Sequence, residues 1–101
     1  MKIEMLPSAR REMLKAARWY DRKAAGLGDQ LLDEVRDAIV ALKKPPVVSS
    51  KIGTAYRRKL LDVFPYSVVY RVDGEVTTIV AVAHFKRRPG YWRKRLRNLN
   101  Q

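Results

Sequence analysis

The apolar residues of this chain change their period once. Up to Leu42 they recur every three or four positions, and from Ala55 they recur every second position, with β-branched and aromatic types in the majority. A chain of 101 residues with a single switch of this kind has room for one helical block and one sheet sharing a core, so residues 1–101 are read as one domain.

In the helical half, Met1, Ile3 and Met5 alternate with Lys2 and Glu4 and predict a short first strand. Pro7 suits a first helical turn and Ser8 a cap. Ala9, Met13, Ala16, Ala17, Tyr20 and Ala24 then form one stripe of a helix of about 16 residues, broken at Gly26-Leu27-Gly28. Asp29 opens a second helix, where a negative charge offsets the positive end of the helix dipole. Leu31, Leu32, Val35, Ile39 and Leu42 make its apolar face, and Pro45-Pro46 stops it. Two amphipathic helices joined by a short glycine turn predict an antiparallel helical hairpin.

The second half predicts strands at 55–61, 66–72 and 75–85. Asp73-Gly74 is a dipeptide that type I′ hairpins favour, because both positions tolerate positive φ. Placing Val72 opposite Glu75 puts Tyr66, Val68 and Tyr70 on the helix-covered face with Ala81, Ile79 and Thr77. Ser67, Val69 and Arg71 then share the open face with Val80, Thr78 and Val76, and parity adds Val82 and His84. For the preceding strand, turning Arg57 and Lys59 outward buries Tyr56 and Leu60 at the cost of an awkward Arg58. The expected open face thus carries Arg57, Lys59, Ser67, Arg71 and His84. Pro89 is expected to open a short terminal helix reaching about Leu99. The predicted architecture is α+β: an N-terminal strand, an antiparallel two-helix hairpin, then a three-stranded antiparallel sheet with a short C-terminal helix.

Charge narrows the function classes. Residues 1–50 hold ten basic and seven acidic side chains, and residues 51–101 hold twelve and three, so nine of the twelve net positive charges lie in the second half. Such a field attracts nucleic acid, nucleoprotein or an acidic protein segment; a solvated basic surface kept for solubility is the plainer reading. The stretch 86–95 alone carries Lys86, Arg87, Arg88, Arg93, Lys94 and Arg95, without an acid, around Tyr91 and Trp92. The chain has no cysteine, which excludes disulfides, thiolate zinc sites and thiol nucleophiles, and one His among scattered carboxylates implies no metal and no cofactor. No apolar run approaches a membrane span and no secretory signal pattern opens the chain, so a cytoplasmic protein without a membrane partner is expected.

Four features occur in order: Trp19-Tyr20 closing the early helix, the Gly26-Leu27-Gly28 break, Phe64-Pro65-Tyr66 leading into a Val-Val-Tyr strand, and His84-x-x-x-Arg88-Pro89-x-Tyr91-Trp92-x-x-Arg95. With them the chain resembles the RelE/ParE superfamily of type II toxin-antitoxin toxins. The resemblance implies the fold described above, a cognate antitoxin as partner, and growth arrest. The target it implies is either ribosome-bound mRNA, cut by a metal-independent endoribonuclease of RelE type, or DNA gyrase, inhibited without catalysis by a ParE-like toxin.

RelE-type cleavage implies two basic residues on the second strand, an Arg opening the third, an Arg after the fourth and a Tyr in the C-terminal segment. Arg57 and Lys59 match the first two, Ser67 stands in place of the first Arg, Lys86 replaces the second, and Trp92 falls at the Tyr position with Tyr91 beside it. Such a reaction needs a base for the 2′-hydroxyl, cations for the developing phosphorane charge and an acid for the leaving oxygen. A serine supplies neither the charge nor the bidentate contact of an arginine. A His near the end of the last strand offers a second route, since its ordinary pKa suits proton transfer. The expected register, however, puts Arg57 roughly 26 Å from His84 at about 3.3 Å per residue. His84 reads equally well as a strand-end residue bonding to backbone. The nuclease candidates are therefore Arg57, Lys59, His84, Lys86 and Tyr91, with Arg58, Arg71, Arg87, Arg88, Arg93 and Arg95 as candidates for nucleic-acid or target binding. Tyr20 is expected in the core, Trp19 in the core or on a partner-binding patch, and Trp92 as a clamp for the terminal helix. A noncatalytic basic nucleic-acid binding module, or a family member without activity, is the alternative; either predicts normal growth when the folded protein is induced.

Overall fold

The order of elements is β1 (Lys2–Met5), α1 (Pro7–Lys23), α2 (Leu27–Ala41), β2 (Ser50–Ile52), β3 (Tyr56–Leu60), β4 (Tyr66–Asp73), β5 (Val76–His84) and α3 (Lys94–Leu99). The computed structural model describes residues 2–43, 50–52 and 55–99. Pro45-Pro46, assigned above to the end of the second helix, lies outside them, and α2 itself ends at Ala41.

The sheet is larger than the predicted three strands. Its order is β1-β5-β4-β3-β2, antiparallel except for β1, which runs parallel to β5 with Ile3 opposite Thr77 and Met5 opposite Ile79. The short β2 pairs antiparallel with β3. Ala9, Ala16 and Ala17 of α1 and Leu31, Val35 and Ala38 of α2 are buried in one cluster with Val68, Tyr70 and Ile79 of the sheet.

Local chemistry corrects three boundaries. Leu6, not Ser8, is the residue preceding the first turn of α1, and no side chain caps it; Pro7 occupies that turn, where its missing N–H costs nothing. The break between the helices is at Gly26, whose φ of 91° is left-handed, so Leu27 and Gly28 belong to α2. At Gly28 the two helices touch: its N–H donates to Asp21 Oδ1 at 2.7 Å, and a Cβ there would meet the Ala17 carbonyl oxygen and stand 2.6 Å from Asp21 Oδ2. Because backbone is the obstacle, Gly28→Ala is expected to destabilise the protein by about 1–3 kcal/mol in denaturant unfolding. The third correction is that Pro89 lies ahead of the terminal helix, which begins at Lys94.

The registers also differ from expectation. Asp73 pairs with Val76, so Gly74 and Glu75 form the turn, with Gly74 at φ 59°. Tyr70 faces Ile79, but Val69 faces Ala81, so the ladder shifts and β5 carries one extra residue at Val80. Beyond this bulge the parity of β5 is reversed: Val82 stands opposite Val68 and His84 opposite Tyr66, on the helix side. In β3, Tyr56 faces Arg71 and Leu60 faces Ser67, while Arg57 faces Tyr70 and Lys59 faces Val68. Opposed residues of an antiparallel pair project from one face, so Arg57 and Lys59 lie on the helix side and Tyr56, Arg58 and Leu60 on the other.

The expected open face is therefore not open. Ser67, Val69, Ala81 and Ala83 on that face are all buried. The chain after β5 turns back, and Trp92, 3% exposed, packs edge-on to Tyr56 with ring centroids 4.6 Å apart. The sheet is covered by the helices on one side and by the C-terminal segment on the other.

Candidate functional site

The bulge and the β3 register divide the candidate residues among separate neighbourhoods. The first lies beside α1, where His84, Tyr66, Val82, Arg87 and Tyr91 line a groove of about 330 Å³ with Lys15, Trp19 and Tyr20. The His84 and Tyr66 rings meet edge-on at 5.0 Å, and Tyr66 continues to Tyr20 at 6.3 Å. Burial, then the nearby Tyr20, raises the Tyr66 phenol above its ordinary value. The Lys86 N–H donates to His84 Nδ1 at 3.0 Å, so the neutral ring carries its proton on Nε2. Trp19 is nearly half exposed at the rim, with Lys23 Nζ 4.8 Å from its ring centre, while Tyr20 packs on Phe64.

Tyr91 and Arg95 join this neighbourhood through Glu12, a residue the sequence reading did not single out. β1 ends opposite Ile79, which leaves the outer edge of β5 unpaired beyond that point. Glu12 Oε1 accepts the Val82 N–H at 3.2 Å, and Arg95 Nη1 donates to the Val80 carbonyl at 2.9 Å. The two side chains also form a paired contact, Nη1 to Oε1 at 2.7 Å and Nη2 to Oε2 at 3.0 Å, with both about four-fifths buried. The Tyr91 hydroxyl donates to Glu12 Oε2, and the Arg87 and Arg95 guanidinium carbons lie 3.9 and 5.2 Å from the Tyr91 ring centre. Glu12 was legible in principle. It falls three residues after Ala9 and four before Ala16, so it is an acid on an apolar helix stripe in a chain whose tail is all cation.

This cluster gives Tyr91 a definite protonation state. Burial first, then the hydrogen bond to Glu12, raise its phenol above the ordinary value of 10, and the hydroxyl is occupied as a donor. A group so held is a poor general base. The unfolded phenol ionises near pH 10 while the folded one keeps its proton, so stability is expected to fall as pH rises beyond 10. Tyr91→Phe should lack that part of the alkaline decline in thermal melts; an unchanged decline would show that other groups cause it.

The remaining nuclease candidates lie elsewhere. Lys59 lines a groove of about 440 Å³ with Asp33, Glu34, Asp37 and Asp62, so its charge faces the acids of α2. Arg57 is level with Tyr70 and Ile79, four steps along β4 from Tyr66, which stands opposite His84, and two strands across, or about 13 Å along the strands alone. Ser67 is buried on the opposite face. Lys86 is exposed next to the His84 backbone contact, and Arg88 is exposed beyond it.

The other target-binding candidates gather on the far side of the sheet. Arg71 and Arg93 lie over the Tyr56 ring at 5.7 and 5.9 Å, and Arg93 is 5.1 Å from the Trp92 ring centre. With Leu96 and Arg97 they line a groove of about 350 Å³, and Arg58 projects from the same face. Asp73 contacts Arg71 at Nε, 3.1 Å away.

Among the described residues, no three His, Asp or Glu side chains cluster as a metal site requires, and no helix is long and apolar enough to cross a membrane. Residues 3–89 match the sequence profile described as the ParE toxin of type II toxin-antitoxin system, parDE. Among solved structures, a chain of the chromosomal ParDE toxin-antitoxin system from P. aeruginosa superposes with a TM-score of 0.71 at 14% identity, over 83% of this chain and 95% of that one. No curated protein sequence matches.

Proposed function

The chain belongs to the ParE toxin family of type II toxin-antitoxin systems, and from that premise we propose that it arrests growth by binding and inhibiting DNA gyrase, not by cutting ribosome-bound mRNA. The observation that carries this is the dispersal of the nuclease candidates. Cleavage through a 2′-hydroxyl needs base, acid and cations converging on one phosphate. Here His84 and Tyr91 stand beside α1, Lys59 faces the acids of α2, Arg57 is level with Ile79, and Ser67 is buried on the other face. Inhibition by binding needs no such convergence.

Purified protein is expected to block plasmid supercoiling by purified gyrase and to leave mRNA on translating ribosomes intact. In cells, DNA synthesis should fall before protein synthesis in the minutes after induction. His84→Gln, and Arg57→Ala with Lys59→Ala, should remain toxic. Protein synthesis collapsing first, or a folded His84→Gln protein that no longer arrests growth, would establish a nuclease instead.

A cognate antitoxin is the proposed neutralising partner, and the groove beside α1 is the surface we assign to it. Trp19 is exposed there among Lys15, Arg22 and Arg87, which suits a segment bearing apolar and acidic side chains. Trp19→Ala is expected to weaken antitoxin binding at least tenfold in calorimetry while leaving the melting temperature unchanged.

A further inference from the structure

We propose that the face opposite the helices binds the phosphodiester backbone of duplex DNA through Arg71 and Arg93, flanked by Arg58 and Arg97. The charge on this face is strongly one-sided. It presents four arginines against Asp73, with Glu4 of β1 paired to Lys2 at its far edge, whereas six of the ten acidic residues of the chain lie on α1 and α2. A polyanion meeting the molecule is drawn to the arginine side.

The arrangement of the guanidinium groups selects phosphate from among anions. Arg71 and Arg93 both lie over Tyr56, and Tyr56 and Trp92 are themselves immobilised against each other in the core. Stacking on a fixed ring restrains each fork before a ligand arrives, so little entropy remains to be lost on binding. Asp73 takes Arg71 at Nε and the Tyr56 side chain hydrogen-bonds it as well, so the guanidinium is held in place on the face while its charge stays exposed to an approaching phosphate. Both guanidinium carbons lie within 6 Å of one ring centre, which gathers the two charges at one place on the face.

The same packing argues for a duplex over a single strand. Proteins hold single strands by stacking bases on free aromatic faces. Tyr56 and Trp92 are buried and occupied by each other and by arginine, and among the described residues the groove offers Leu96 as its only other apolar wall. What remains is a set of phosphate contacts without a stacking platform, which fits nucleic acid whose bases are already paired. The proposal deepens the gyrase reading, since a toxin on gyrase lies close to DNA, but it stands without it.

The test is fluorescence anisotropy with a labelled 20-base-pair duplex, without gyrase, from 50 to 200 mM salt. Arg71→Gln with Arg93→Gln should weaken binding at least tenfold and lower the slope of log affinity against log salt by about two. Arg10→Gln with Arg11→Gln, which removes the same charge from α1, should cost less than about threefold. If the first variant melts early, Arg58→Gln with Arg97→Gln reads the same face through exposed residues and should weaken binding about threefold to fivefold. Equal losses from the α1 control, or no binding by the unaltered protein at 50 mM salt, would overturn the site. Tighter binding of single-stranded poly-U than of the duplex would overturn the assignment to paired DNA. Gyrase inhibition by unaltered protein that binds no duplex would leave the gyrase reading intact while this one failed, and duplex binding through these arginines by a protein that does not inhibit gyrase would separate them the other way.

Discussion

Glu12→Ala is expected to lower stability by about 3–4 kcal/mol, a loss that removing one partner of a buried ion pair produces even in small domains. The carboxylate receives Arg95, the Tyr91 hydroxyl and the Val82 N–H together. Its removal leaves a largely buried guanidinium without its counter-charge and a sheet-edge donor without an acceptor. For a chain of this size the melting temperature should fall by roughly 12–25 °C. Glu12→Gln keeps the acceptor oxygen and loses the charge, so it should lie between the two. A Glu12→Ala protein within 1 kcal/mol of the original would mean that the terminal segment is not held through this contact.

Trp92→Ala should cost about 3–5 kcal/mol, the usual range for truncating a large buried aromatic side chain. Trp92 closes the second face of the sheet over Tyr56. Without it Tyr56 and the small residues Ser67, Ala81 and Ala83 gain access to water, and dye binding to exposed apolar surface should rise. The two substitutions act on one segment from its two sides, so their losses should not add. Once either anchor is lost, the other holds a chain that is already partly free, and the double variant should fall at least 1 kcal/mol short of the sum. Full additivity would show that the anchors work independently.

Much of the fold was legible because its period was unambiguous. The stripe Ala9, Met13, Ala16, Ala17 and Tyr20 and the face Leu31, Val35 and Leu42 marked both helices, and the punctuation at Asp73-Gly74 marked the hairpin. The site was less legible because it depends on parity. From Ile79 to Ala83 every residue of β5 is apolar, so no pattern announces the extra residue at Val80 that turns His84 toward α1. In β3, Tyr56 and Leu60 were turned toward the helices on the premise that one face of the sheet is solvated. The C-terminal segment covers the other face, which made the opposite register the one that buries Tyr56. β2 is three residues without alternation and sent no signal. The clamp expected of Trp92 matches its packing, whereas the Glu12 contact that completes the clamp was missed.

The parallel pairing of β1 with β5 has a consequence for the timing of synthesis. β1 is the first strand made, and its neighbour in the sheet is the last, with Met5 and His84 separated by 79 positions. At roughly 5–20 residues per second, about 4–16 s pass between them. Throughout that interval the apolar side of α1 waits without the sheet that covers it, and the Val82 N–H that Glu12 accepts does not yet exist. The nascent chain therefore cannot close the sheet over α1 until β5 and the segment that follows it have been translated.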